Sequence, residues 1–156
     1  VHDHYSSGET SLVISTHMLG MYLPSLASGW LAARFSARAM LMTGVIGICA
    51  CVFISAVMGH SFTHYFAGLL LLGVGWNFMF VGATTLLTRS YAPEERFRAQ
   101  GANDLAIFGT QAVASLLAGT ALEHLGWGAL NLAVLPLLAL VSFTAWRLQP
   151  APAAAR

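Results

Sequence analysis

Lysine is absent from the sequence, and charged residues of all kinds fill 8% of its 156 positions, about a third of what a soluble domain carries. That scarcity excludes a water-soluble globule, and a mean hydropathy of +0.71 excludes a disordered chain. Seven arginines against six acids make no basic surface of the kind nucleic acid needs, so no nucleic-acid partner is expected. Cysteine is reduced to Cys49 and Cys51, which a helix turns about 200° apart, so they cannot pair with each other. Chemistry-bearing motifs are missing too: there is no Gly-rich phosphate loop, no HExxH and no GxSxG. Ser25 and Ser28, near Gly29, lack a histidine at the same depth. The expectation is a protein that is not an enzyme and holds no cofactor and no metal. A signal peptide is not visible either, because Val1 to Thr10 is polar and lacks the basic-then-apolar order. The chain opens without Met on a loop-like stretch, which suggests a piece of a longer protein.

Long apolar runs are what the sequence does have. Crossing a bilayer takes about 20 apolar residues per helix, so this length holds five or six crossings and no aqueous domain. Apolar runs place spans at about 12–33, 39–59, 65–88, 101–122 and 127–147. The fold class predicted is all-α: a polytopic membrane protein with five transmembrane helices and the lipid bilayer as its solvent. Residues 1–11 form a polar extracytoplasmic segment, 12–148 the bundle, and 149–156 a disordered cytoplasmic tail rich in Ala and Pro. Arginine sets the orientation, since cytoplasmic loops carry the Lys/Arg excess. Arg34 and Arg38 lie in the first connection, Arg89, Arg96 and Arg98 in the third, and Arg147 and Arg156 at the C-terminal end. All seven share one side, which puts the C-terminus in the cytoplasm and Val1 outside. Pro24 and Pro136 interrupt the first and fifth spans, and each frees a carbonyl one turn earlier. Small residues at packing intervals, such as Gly44 with Gly47 and Gly68 with Gly75, allow close helix contact.

Polar residues inside a bilayer are costly, so their distribution is informative. The first span holds His17, the third Asn77 with Thr84, Thr85 and Thr88, and the fourth Asn103, Asp104 and Gln111. The second and fifth hold little that is polar at depth. Spans one, three and four therefore read as the lining of an aqueous path. At 1.5 Å per residue Asn77 and Gln111 come out near mid-membrane, with His17 about two turns below the outer face. A substrate-facing site is predicted at His17, Asn77 and Gln111: the amides exchange hydrogen bonds with solute, and the imidazole can change charge near neutral pH. The same groups could instead bond across helices and only fix packing. Asp104, the one carboxylate within a span, is read as a helix-start acid favoured by the helix dipole, rather than as a proton carrier. His2, His4, His60, His64 and His124 fall on the outer side. His60 and His64 have i, i+4 spacing, but no cysteine or carboxylate completes a ligand set there.

These residues resemble a known family. GVGWNFMFVGATTLLTRSYAPEERFRAQGANDLAIFG, Gly73 to Gly109, is similar to the tenth helix, following cytoplasmic loop and eleventh helix of bacterial major facilitator superfamily transporters. HMLGMYLPSLASGWLAARFSAR, His17 to Arg38, resembles the eighth helix and the signature loop after it. Gly29, Leu31, Ala32, Arg34 and Arg38 match that loop signature, while Ala33 stands where it has an acid and Ser36 and Ala37 replace a glycine and a basic residue. Pro93, Arg96 and Gly101 resemble the loop before the eleventh helix. The resemblance implies that the five spans are helices eight to twelve, of which eight, ten and eleven border the central cavity. It also implies that the seventh helix and the whole N-terminal half are missing partners. The function implied is transport of a small solute across the bacterial inner membrane, by rocking of two halves around a midplane site. The other reading is a non-transporting membrane sensor or scaffold that uses the outer histidines.

Overall fold

The computed structural model describes residues 5–57 and 61–147. The predicted tail at 149–156 lies outside the described residues, as do His2, His4 and His60. Among the described residues every regular element is helical. Helix α1 spans Ser7–Tyr22, a 3₁₀ stretch covers Leu23–Ala27, α2 spans Ser28–Arg34, α3 Ala37–Val57 and α4 Phe62–Leu87. After a second 3₁₀ turn at Pro93–Glu95 come α5, Arg96–Leu132, and α6, Leu135–Arg147.

Helix α1 starts several residues before the apolar run. Ser6 and Glu9 form a reciprocal capping box in which the Ser6 side chain accepts from the Glu9 backbone N–H and the Glu9 carboxylate accepts from the Ser6 N–H, so the helix begins on polar residues that the hydropathy pattern assigns to a loop. It ends where Pro24, which has no N–H, converts the chain to a tighter 3₁₀ path, and the helix resumes at Ser28. The first span is therefore two helical pieces with a break between them.

Glycines on α1, α3 and α4 set how the bundle packs. A Cβ on Gly44 would meet the Gly75 carbonyl and the Met79 amide at 2.5–2.6 Å, and one on Gly82 would meet the Ala37 carbonyl and Leu41 amide at 2.8 Å. Residue numbers rise along α3 as they fall along α4, so these two helices are antiparallel and their backbones touch without side chains between them. Helix α1 runs parallel to α4 instead: Gly20 sits on Leu70 and Val74, and Gly73 sits against His17 and Met21. The core lies between α3 and α6, where Leu41, Val45 and Ile48 pack on Leu138 and Ala145. Leu72, Met79 and Leu86 of α4 close it from the other side.

The predicted boundary between the fourth and fifth spans differs from the structure. Glu123 to Leu125 are helical, and the turn is made by Gly126, which has φ 74° and ψ 166° inside α5. The next break comes at Ala133–Val134, just before Pro136, which sits harmlessly in the first turn of α6. Three helical stretches among the described residues are long and apolar enough to cross a membrane: Ala37–Val57, Phe62–Leu87 and Pro93–Arg147. The last has 55 residues, some 80 Å if straight, but it is broken at Gly126 and again at Ala133–Val134. The Trp127 ring lies 6.2 Å from Tyr65 at the start of α4, while the Trp146 carbonyl accepts a hydrogen bond from Arg38 at the start of α3, at 3.1 Å. Those two starts are opposite ends of an antiparallel pair, so residues 127–146 run the length of the bundle.

Aromatic and basic residues sort to the ends. Tyr5, Phe62, Tyr65 and Trp127 form a chain of edge-on ring contacts at one end. At the other, Arg34 lies over Trp30 and Arg147 over Phe143 and Trp146, with centroid distances of 4.9–5.9 Å. Such rings suit the two interfaces of a bilayer, where an apolar body and a polar edge are both satisfied.

Candidate functional site

Asn77 is 3% exposed, the one buried polar residue among those described. Its Nδ2 donates to the Met21 carbonyl and to the Ser25 hydroxyl. Met21 is next to Gly20, whose carbonyl would have paired with an N–H at position 24 that proline lacks. A single amide therefore stitches α4 to the break in the first span, on both sides of Pro24. The Asn77 Oδ1 makes no hydrogen bond to a described residue. Every fully enclosed side-chain polar atom there does have a partner, so Oδ1 stays reachable as an acceptor.

His17, half-buried, lies against the Leu69 carbonyl at 2.9 Å through Nδ1. A carbonyl only accepts, so Nδ1 carries a proton and donates to it, and Nε2 makes no hydrogen bond to a described residue. His17 and Asn77 are thus brought to one α1–α4 seam, two turns apart. Gln111 is not brought to them. It sits on the stretch of α5 before Gly126, where residues 110–120 are all exposed, and it makes no hydrogen bond among the described residues.

The helix-start role for Asp104 is corrected by the structure. Pro93–Glu95 form a 3₁₀ turn that feeds directly into α5, so the helix begins at Arg96 with Glu95 as its cap. Asp104 then lies in the third turn, beyond reach of the free N–H groups, and its Oδ1 accepts from Asn103 Nδ2 at 3.4 Å. The hydropathy pattern could not locate that start because Arg96, Arg98 and Gln100 are polar positions that continue the helix past the apolar run.

The loop-signature residues divide between two places. Gly29, Leu31 and Arg34 are carried by α2, and a Cβ at Gly29 would meet nothing within 4 Å. Ser36 accepts from the Ala39 N–H at 3.1 Å and starts α3, which aims Arg38 at the Trp146 carbonyl. Pro93 opens the second 3₁₀ turn, Arg96 is the first residue of α5, and Gly101 lies exposed in open space. Among the other outer histidines, His64 Nδ1 lies 2.9 Å from the Ser61 hydroxyl and His124 is exposed on α5. No three metal-ligating side chains cluster among the described residues.

Two features escape sequence reasoning. Ser25 is indistinguishable from other small polar residues until the break at Pro24 turns it toward α4. Trp76 and Phe80 stack on each other at 4.9 Å and 13°, and i, i+4 spacing was the available signal.

An all-helical bundle with glycine-welded helices, polar residues at depth, and ends marked by aromatic and arginine side chains defines a multi-pass membrane protein. The chain belongs to the Major Facilitator Superfamily, whose family model matches residues 2–156. It is 41% identical over 152 residues to the riboflavin transporter RfnT of Brucella anthropi, an alignment covering 97% of this chain and 38% of the relative. Two MFS-type transporters of Bacillus subtilis, YddS and YdeG, are 32% and 33% identical over 93% and 84% of the chain, covering 34% and 31% of their own lengths. The chain thus spans about a third of the length of the curated relatives it matches. No solved structure matches it.

Proposed function

We propose that this chain is the C-terminal part of a facilitator-type secondary transporter that moves a small solute across the bacterial inner membrane. On this reading the chain crosses five times, as helices eight to twelve, with its N-terminus outside and its C-terminus in the cytoplasm. The single observation that carries it is the end-to-end similarity to a named transporter, 41% over 97% of the chain. The sorting of aromatic and basic residues supports the orientation: Arg34, Arg38 and Arg147 gather at one end of the bundle and Tyr5, Tyr65 and Trp127 at the other. Because the relative's name says riboflavin, that vitamin is the first solute to test.

The solute site is proposed at His17, Asn77 and Gln111, with roles refined by geometry. Asn77 holds the α1 break through Nδ2 and offers Oδ1 to solute. His17 offers Nε2. Gln111, exposed on α5, closes the site from the opposing wall once the missing N-terminal half packs against it. The test is uptake by the complete transporter carrying this segment, normalised to folded protein. Asn77→Ala and Gln111→Ala are expected to weaken solute binding by about 1–3 kcal/mol each, and His17→Ala to change the pH dependence of uptake. Normalised rates equal to wild type in all three would remove the site.

A further inference from the structure

The seam between α1 and α4 is closed along only part of its length. Gly20 and Gly73 bring the two backbones together, and the His17 ring bonds to the Leu69 carbonyl. Toward the starts of the two helices no glycine faces the partner helix, and larger side chains leave a recess of about 320 Å³ between them. Val13 and Leu69 line it on the side of the closed seam, and Tyr5, Phe62 and Tyr65 line it at the end of the bundle.

Three features give this recess a chemistry. Its rings stand at steep angles: Tyr5 meets Phe62 at 60° and Tyr65 at 81°, with centroids 6.3 and 5.8 Å apart. They make a corner of ring faces, and an aromatic face carries negative potential. Glu9 is the one charged residue that lines the recess. Its Oε2 accepts from the Ser6 N–H at 2.9 Å and from the Ser6 hydroxyl at 2.8 Å, which fixes the carboxylate at the rim and keeps it ionised at neutral pH, while Oε1 makes no hydrogen bond to a described residue. The rest of the lining is poor in hydrogen-bond acceptors: Val13, Ile14 and Leu69 are aliphatic, and the Thr10 hydroxyl is turned back to the Ser6 carbonyl at 3.2 Å.

We propose that this recess binds a methylated ammonium group of the kind a choline-type cation carries. A cation is drawn to ring faces and to the opposite charge on Glu9. The methylation follows from the lining. A primary ammonium brings three N–H donors that rings and aliphatic side chains leave unpaired, whereas a trimethylammonium spreads its charge over methyl groups and has no donor to satisfy. The starts of α1 and α4 both lie at this end, and their partial positive charge alone favours an anion; the full negative charge of Glu9 reverses that balance. At the opposite end of the bundle the chain meets the same demand with its own cation, since Arg147 lies over Phe143 and Trp146. The methylated ammonium can belong to a free solute or to a lipid headgroup, because an aromatic end of this kind suits a bilayer interface. The inference does not rest on the transport reading: it concerns binding at the end of the seam, beyond the His17 contact.

The experiment is equilibrium dialysis of choline, and of ethanolamine, which lacks the methyl groups, against the complete protein carrying this segment in a maltoside detergent. Saturable choline binding is expected, with ethanolamine about tenfold weaker. Tyr5→Leu and Tyr65→Leu should each weaken choline about fivefold, since one ring face is lost, and Tyr65→Phe should stay within about twofold because the face is kept. Glu9→Gln, which can still cap α1 but carries no charge, should weaken choline about fivefold. Thermal unfolding checks each variant; if Tyr65→Leu fails to assemble, Glu9→Gln carries the test. Displacement of choline by added phosphatidylcholine but not by phosphatidylglycerol supports the site with a lipid headgroup as its source, and choline binding untouched by either lipid supports it with a free solute. Choline bound no more tightly than ethanolamine, equal choline affinity in the wild type and in folded Tyr65→Leu or Glu9→Gln, displacement by phosphatidylglycerol, or saturable acetate binding in place of choline overturns it.

Discussion

Asn77 performs at one position what a proline break in a bilayer demands, since it supplies donors to the carbonyl of Met21 and the hydroxyl of Ser25 on either side of Pro24. Asn77→Leu keeps the volume and removes both donors, which takes a hydrogen bond from the Met21 carbonyl and one from the Ser25 hydroxyl. A loss of about 1–3 kcal/mol is expected, read as a lower thermal unfolding temperature of the complete protein. Ser25→Ala should cost less, because the Met21 bond remains. Depth and polarity made Asn77 legible in the sequence. Its partners were not legible, because the rotation of one helix about its axis depends on the neighbour it meets. The same limit explains Asp104: a polar residue near the end of an apolar run looks like a cap until the polar residues before it are seen to continue the helix.

Elements begin and end here for local reasons that hydropathy does not register. Two hydrogen bonds from Ser6, the backbone one first, hold the Glu9 carboxyl below its ordinary range at the start of α1. A depressed carboxyl contributes stability above its unfolded value and loses it as pH falls through the folded one. The first turn of α1 should therefore fray as pH falls below the ordinary carboxylate range, seen as faster amide exchange at Ser7–Thr10, and Glu9→Gln should remove that pH dependence. At the other end of the chain Gly126 makes the reversal with φ 74°, a region costly for residues with a Cβ. Gly126→Ala should cost about 1–2 kcal/mol. Gly119→Ala is the control: it lies within α5 with nothing within 4 Å of its Cβ, and it should be neutral or slightly stabilising. Five apolar runs were visible in the sequence, yet the fourth and fifth join through a helix that continues to Leu125. A short connection of Glu, His and Leu is as compatible with helix as with loop, and only the glycine's positive φ makes the turn.

At the scale of the whole molecule, the arrangement of ends carries a topology that thiol labelling can test. Ser61 caps α4 at the end where Tyr5, Tyr65 and Trp127 meet, and Ser90 follows α4 at the end that holds Arg89. Cysteines placed singly at Ser61 and Ser90, in a background lacking Cys49 and Cys51, should label oppositely with an impermeant reagent. Ser61→Cys should react in intact cells and Ser90→Cys only after permeabilisation. The antiparallel α3–α4 pair requires opposite sides if α4 crosses once, so equal labelling of both from outside would sink the five-crossing arrangement. A second expectation follows from α5. Leu105, Phe108 and Leu116 are 76%, 60% and 83% exposed beside the polar Asn103, Asp104 and Gln111, a mixed face that suits neither lipid nor water. Lipid can cover the leucines, but each polar group left in hydrocarbon without a partner costs several kcal/mol. Expressed alone, residues 1–156 should therefore self-associate through this face and fail to accumulate solute; on the proposed reading of the chain as the C-terminal part of a transporter, co-expression with the N-terminal portion should restore a single species. Cross-linking through a cysteine at Gln111 separates the outcomes: homodimers are expected from the isolated chain and contact with the N-terminal portion from the reconstituted pair. A stable monomer in detergent with Gln111 uncross-linked in both would mean that α5 needs no partner.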